Sequence, residues 1–377
     1  MMRVGFGVTA LCKGLAGGSQ DGISHYTQEL MTQFAAHKEL SLAPFSFDVG
    51  GGAVGALDGA LHLGRYPTGA LCSSFTGANF PGIGKLGKVD LLHATDHYIP
   101  RAKFAPLVAT LMDAIPFSHP EWSSGRFRRA KNALWKKAIS WADHVITISE
   151  YSKSELCKWT GVAADRISVI PLGVDTRWFR DVTLGESAMV RAKFALPAQY
   201  FISVGTLQPR KNISTVIAAH RALPDAERQR TPLVIAGRAG WKCEQEIAQI
   251  EQDARTGKIL WLQHVSDAEL LPIMKAAKAL LFPSLAEGFG LPVLEAFAAQ
   301  VPVITSTTTS LPEVAGDAAL LIDPIDTGSI TTAMNQVLDD VDLRKQLIQR
   351  GLNRANTFTW QRCAEQTVGC YRHFLAQ

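Results

Sequence analysis

The stretch from Ala279 to Ala296 constrains this chain more than any other. Ala279-Leu280-Leu281-Phe282 is a short apolar run, of the kind that forms a strand buried on both faces of a parallel sheet. Pro283 and Ser284 end it. A loop carrying Glu287, Gly288, Phe289 and Gly290 follows. Leu291-Pro292 then opens a helix, with proline in the first turn, where a missing N–H is no loss. Val293, Leu294 and Phe297 share one helical face, which predicts packing on the sheet. Such a strand, glycine loop and helix bring unpaired backbone N–H groups and the positive end of a helix dipole to one place. Gly288 and Gly290 let the backbone approach a ligand without a Cβ between them.

That place is an anion site, yet it holds two carboxylates, Glu287 and Glu295. Carboxylates repel a phosphate but accept from hydroxyls on either side of one. A nucleotide-sugar has this layout, with a sugar on each side of a diphosphate. A second unit of the same design supplies the missing cations. Strand Tyr200–Gly205 runs into Thr206-Leu207-Gln208-Pro209-Arg210-Lys211-Asn212, and a helix starts at Ile213. Arg210 offers a planar fork and Lys211 a point charge, together a diphosphate clamp. Strand Arg3–Thr9 leads into a third glycine-rich loop, from Gly14 to Gly22, before another helix. Its spacing is not G-x-G-x-x-G, so the dinucleotide fingerprint fails and a dehydrogenase is disfavoured.

Further strands are predicted over Val89–Tyr98, Pro106–Met112, Leu233–Gly237, Ile259–Leu262, Val303–Thr305 and Ala319–Ile322, alternating with helices. This pattern predicts an α/β fold with parallel sheets. A chain of 377 residues is too long for one typical core and suits two domains. Phe45–Lys88 is glycine-rich and is left unassigned, except that its run from Gly51 to Gly59 suggests a mobile connection, and Asp175–Pro197 reads as an interdomain linker. No apolar run reaches the roughly 18 residues of a membrane span, and the N-terminus lacks a signal-peptide pattern, so a cytoplasmic protein is expected. The six cysteines are scattered without metal spacing, as in a reducing compartment. Net charge is +4; residues 1–180 hold 19 Lys+Arg against 14 Asp+Glu, the remainder 19 against 20, so the basic excess lies in the first half. Much of it falls in Arg126, Arg128, Arg129, Lys131, Lys136 and Lys137, interleaved with Phe127, Leu134, Trp135, Ile139 and Trp141. Two readings fit: a basic amphipathic helix lying on an anionic membrane, or a solvated helix with one buried face.

E-G-F-G-L-P-x-L-E-A from Glu287 to Ala296 resembles the signature of glycosyltransferase family 4, retaining enzymes of the GT-B fold. Arg210-Lys211-Asn212, Asp143 to Ser152 and Val169 to Asp175 resemble other segments of that family. The resemblance implies two Rossmann-like domains with a cleft between them. The acceptor-binding domain would span 1–180 plus a return helix at 358–377, and the nucleotide-sugar domain 181–357. It implies a hexosyltransferase moving a sugar from a nucleotide-diphosphate donor to an acceptor hydroxyl, with retention, without cofactor or metal, and with no nucleic-acid partner. Glu287, Asp113, Arg210 and Lys211 are the expected catalytic residues. Gly18, Gly22, Gly205, Thr206, Gly237, Val265, Gly288, Phe289, Gly290, Leu291 and Glu295 join them around the donor, Glu295 at the ribose and Val265 at the base. His93, Asp96 and His97 are expected to line the acceptor side.

The family usually carries His-Asp where this chain has Met112-Asp113. A sugar-nucleotide epimerase and a non-catalytic sugar-nucleotide binder therefore stand as alternatives. Asp340-Val341-Asp342 has the form of a metal-binding D-x-D but follows no apolar strand, and reads as a helix cap. By flavour the whole chain resembles bacterial mannosyl- or rhamnosyl-type transferases of surface polysaccharide assembly. That implies GDP-mannose or a related GDP-sugar as donor, and a saccharide or lipid-linked acceptor at the inner face of the membrane.

Overall fold

A computed structural model describes residues 1–18, 21–50, 56–122 and 128–376. The chain divides into two compact units, one of residues 1–173 with 360–377 and one of residues 174–359.

The first unit is built on a parallel sheet of β1 (Met2–Gly7), β2 (Leu40–Asp48), β3 (Leu61–Arg65), β4 (Leu91–Ala94), β5 (Leu107–Thr110), β6 (His144–Thr147) and β7 (Ile167–Val169), in the order β3-β2-β1-β4-β5-β6-β7. Every residue of β4, β5 and β6 is buried, the polar His93, Thr110, His144 and Thr147 included, as in a parallel sheet covered by helices on both faces. Helix Trp360–Leu375 belongs to this unit and packs on helix Gly22–Phe34. Its Trp360 sits edge-on to His25 at 5.5 Å.

The second unit holds β8 (Phe201–Val204), β9 (Leu233–Ala236), β10 (Ile259–Leu262), β11 (Ala279–Phe282), β12 (Val303–Ser306) and β13 (Leu320–Ile322). They form a parallel sheet ordered β10-β9-β8-β11-β12-β13, the doubly wound arrangement whose direction reverses between its first and fourth strands. Ligands of such sheets bind beyond the strand carboxyl ends at that reversal. Here it falls between β8 and β11, the strands feeding the Arg210-Lys211 turn and the Glu287 loop.

Several expectations need correction. Of the presumed mobile connection, residues 51–55 lie outside the described residues; the unassigned stretch around it carries β2, β3, helix Tyr66–Thr76 and a 3-10 turn at Ile83–Leu86. Aromatic packing decides this. Phe47 lies 4.8 Å from Phe80 and 5.2 Å from Tyr66. Gly69, which weakens the helical pattern, is required by the same cluster, because a Cβ there would stand 2.3 Å from Phe80. The presumed linker holds a 3-10 turn, Thr176–Phe179, and a helix, Leu184–Phe194, opened by a Thr183–Glu186 capping box. Trp178 in the turn is buried, and the turn packs on helix Leu291–Ala298, so this segment belongs to the second unit and the boundary falls before 180. Residues from Thr9 to Ala16, expected as strand end and loop, form a helix.

Candidate active site

β8 gives way to Gly205, whose φ of 131° is open to glycine and strained for other residues. Pro209-Arg210-Lys211 forms a single 3-10 turn. Asn212 follows in the left-handed region at φ 60° and fastens the turn. Its Nδ2 donates to Pro283 O at 3.0 Å and Pro324 O at 2.6 Å, and its Oδ1 accepts from the Thr215 hydroxyl. Leu285 N donates to Arg210 O at 2.8 Å. The cationic turn after β8 is thus bound to the loop after β11.

That loop is braced from the far side by Thr309 and Ser310. Thr309 Oγ1 accepts from Glu287 N, and the Ser310 hydroxyl, fully buried, lies 2.9 Å from Glu287 O and 2.8 Å from Phe289 O. Gly290, at φ 119°, precedes helix Leu291–Ala298. The helix buries Val293, Leu294 and Phe297 as the sequence pattern predicts, with Pro292 in its first turn. Phe289 is buried edge-on to Phe358 at 5.8 Å.

These constraints bring three charges together. Arg210 Nη1 lies 2.5 Å from Glu287 Oε2, and Lys211 Nζ lies 2.7 Å from Glu287 Oε1. The Lys211 ammonium also stands 4.4 Å above the Phe282 ring. Burial disfavours the Glu287 carboxylate, but Lys211 and Arg210 overcome it and hold its pKa below the usual range. Burial and the Arg210 charge depress Lys211, with Glu287 working the other way. One turn into the helix, Glu295 is half-buried. Burial raises its pKa to about 7; Arg177 and Lys211 pull it down, while Asp267 and Asp175 push it up.

Gly237, expected beside the nucleobase, has a structural reason to be glycine: a Cβ there would stand 1.9 Å from Gly205 O. Thr206 is half-buried in the loop after β8. Val265, half-buried, lies between β10 and helix Asp267–Lys275, which Ser266 and Glu269 cap. Asp340 caps helix Val341–Ala355 by accepting from Leu343 N at 2.8 Å, as read from the sequence.

In the first unit the expected acceptor residues part company. His93 does not line a surface: it is 0% exposed, with Nδ1 2.5 Å from Tyr371 Oη and Nε2 2.7 Å from Thr110 Oγ1. Burial holds its pKa down at about 3, so it is a neutral core histidine. Asp96 is also buried and braces two loops, accepting from Ala10 N at 3.1 Å and Tyr98 N at 2.7 Å. His97 is half-buried, its ring 4.1 Å from Tyr98 and 4.2 Å from Trp135. Asp113 is half-buried beyond β5 and accepts from Ile115 N at 2.9 Å. Gly18 ends the first helix region, and Gly22 starts helix Gly22–Phe34 behind the Asp21 cap. Of the basic segment, Arg126 and Phe127 lie outside the described residues. Helix Arg128–Ile139 turns Leu134, Ala138 and Ile139 into the core and leaves Arg129, Lys131, Lys136 and Lys137 exposed, an arrangement common to both sequence readings.

Residues 189–354 match the description "Glycosyl transferases group 1", and residues 60–178 match "Glycosyltransferase Family 4". The O-antigen chain mannosyltransferase B of Escherichia coli is 35% identical over 75% of this chain and 74% of its own. The chain belongs to this glycosyltransferase family. The much longer serotype-specific mannosyltransferase WbdA of Escherichia coli is 28% identical over 62% of the present chain, which spans only 29% of WbdA. Anabaena HepE, solved with UDP-glucose, superposes with a TM-score of 0.74 at 16% identity, covering 99% of this chain and 100% of its own, a likeness of fold. This family 4 glycosyltransferase thus has the GT-B fold and is a hexosyltransferase. Its sequence left one site residue unread. Arg177 sat in a supposed linker, yet bonds Asp267 at 2.9 Å and acts on Glu295.

Proposed function

We propose that this enzyme transfers a hexosyl group, mannose or a related deoxyhexose, from its GDP-sugar to a hydroxyl of a saccharide or lipid-linked acceptor, with retention and without a metal. The observation that carries this reading is the Glu287 carboxylate held between Arg210 and Lys211 at the sheet reversal. Without ligand, Glu287 neutralises the two cations. An arriving diphosphate takes its place on them, and the freed carboxylate accepts from hydroxyls of the sugar being transferred. Charge grows on the diphosphate as the glycosidic bond breaks, so the cations and the helix dipole bind the transition state more tightly than the donor. They also supply the charge a divalent metal would bring. Asp113 is the candidate for orienting the acceptor. A thermal-shift panel of GDP-, UDP-, ADP- and dTDP-sugars tests the donor, since a ligand bound only by the folded form raises Tm. The GDP-sugar should give the largest shift; a larger shift with another nucleotide overturns the donor assignment.

Glu295 accepts from both ribose hydroxyls most strongly when ionised. With a pKa of about 7, donor affinity should rise as pH climbs from 6 to 8. The sign for stability is opposite. The folded-state pKa lies above the ordinary 4.5, so the folded protein holds a proton the unfolded chain has lost. Stability from this group is full below the ordinary value and is lost as pH rises through 7. Glu295→Gln should flatten both dependences, checked by donor titration and melting across that range.

A lipid-linked acceptor would bring the enzyme to the cytoplasmic face of the membrane. No helix among the described residues is long and apolar enough to cross one. Contact at the surface has a candidate face. Leu71 and Phe75, on helix Tyr66–Thr76, are 50% and 83% exposed. Helix Arg128–Ile139, packed alongside, carries no acidic residue and exposes Arg129, Lys136 and Lys137. Apolar anchors beside bare cations suit anionic lipid. The full chain should sediment with phosphatidylglycerol vesicles and not with phosphatidylcholine ones, and Phe75→Ser should weaken that binding several-fold. Equal binding to both vesicle types would refute it.

A further inference from the structure

The reversal of the first sheet falls between β1 and β4, which are neighbours and parallel. Three elements meet beyond it. Helix Thr9–Ala16, after β1, carries Lys13; the loop after β4 carries His97; helix Arg128–Ile139 carries Lys131 and Trp135. The Trp135 ring joins two of them, with the Lys131 ammonium 4.4 Å from its centroid and the His97 ring at 4.2 Å. Lys13 lies near enough to act electrostatically on both His97 and Lys131.

Among the described residues neither lysine has a carboxylate partner. The acids on the same loops are engaged elsewhere: Asp96 with Ala10 N and Tyr98 N, Asp21 with Ser24 N. Two solvent-exposed ammonium groups, neither with a carboxylate partner, and a neutral, half-buried imidazole therefore meet from three separate elements, where a doubly wound sheet binds its ligand. Burial and Lys13 together press the Lys131 pKa down, so this convergence is unfavourable until an anion arrives.

We propose that Lys13, Lys131 and His97 form a subsite for a phosphoryl group carried by the acceptor, with Trp135 fixing the geometry. This deepens the acceptor reading above and rests on it. A diphosphate joining the acceptor glycan to a lipid, or the phosphate of a free sugar phosphate, would supply the same chemistry. Each ammonium–phosphate contact would tighten acceptor binding roughly ten- to a hundred-fold.

The test uses one mannose-terminated disaccharide in three forms: its octyl glycoside, its 1-phosphate and its octyl diphosphate. The wild-type chain should show a KM for the phosphorylated forms at least about ten-fold below that of the neutral glycoside. Lys13→Met and Lys131→Met should erase that preference while leaving the KM for donor and for neutral glycoside in place. Lys131→Arg should keep it. Preference for the octyl diphosphate over the 1-phosphate would name a lipid-linked source, and equal preference a free phosphate. Equal KM values for neutral and phosphorylated acceptors in the wild type would overturn the subsite, as would a preference that survives both lysine variants. Calorimetric binding of the octyl diphosphate to wild type and to the double variant reads the subsite without turnover. Lysine-dependent binding with no transfer to any of the three would count against the proposed reaction and not against the subsite.

Discussion

Glu287→Gln should lower kcat for hexosyl transfer by about 10²–10³ or more, and should also lower Tm in the absence of ligand. The second effect follows from the ion cluster. Glutamine fills the same space but brings no charge, leaving Lys211 and Arg210 side by side with nothing to neutralise them. Breaking a buried pair from one side costs about 3–5 kcal/mol. Arg210 keeps its bond to Ala286 O and is in part solvated, so the lower end of that range applies. A nucleoside diphosphate supplies the missing charge. It should therefore raise the Tm of the variant more than that of the wild type, where it must first displace the carboxylate. Melting with and without nucleotide, beside initial rates, checks this. A variant with full activity would refute the role given to Glu287, and one with unchanged Tm would refute the account of the cluster.

Gly237→Ala should be nearly as damaging, for a steric reason. The added methyl would stand 1.9 Å from Gly205 O and 2.6 Å from Gly205 C, both backbone atoms. Neither side can yield easily. Gly205 N is bonded to Ala236 O at 3.0 Å, and Gly237 N to Leu262 O at 2.9 Å, so each residue is held in the sheet. Overpacking of this kind costs about 1–3 kcal/mol, more when backbone must move. The segment that moves leads directly to Arg210 and Lys211. Donor KM should rise at least about ten-fold together with the loss of Tm, because displacing a charged group by an ångström weakens every contact it makes. A variant that melts normally with unchanged donor KM would show that the β8 and β9 ends are looser than their hydrogen bonds indicate.

Much of the fold was legible because the strands are buried on both faces. Ala279–Phe282 occupies the span read from its apolar run, since full burial permits no alternation to blur the signal. Phe45–Lys88 stayed unassigned and Asp175–Pro197 was misread for one reason: glycines and polar residues were weighed locally. Gly69 is small because Phe80 lies against it, and Trp178 is buried against a helix over a hundred residues further on. The two halves of the candidate site differ likewise. Arg210, Lys211 and Glu287 lie on glycine loops after strands, a local pattern, and the structure unites them. His93 sits on an equally local pattern, the end of a strand, but points into the core against Tyr371 from the last helix.

The amino-acid order by itself determined where strands end and helices begin, and so which residues stand at strand carboxyl ends, because burial period and turn chemistry act over a few neighbours. Only the tertiary structure decided which of those ends adjoin. Strand order pairs β8 with β11 across residues far apart in the chain, and that pairing makes one carboxylate and two cations a single charged group. The same strand order, in the first sheet, makes neighbours of β1 and β4, the strands that lead to the helix carrying Lys13 and the loop carrying His97. Electrostatic energy depends on distance in space, and no local feature of the sequence encodes it.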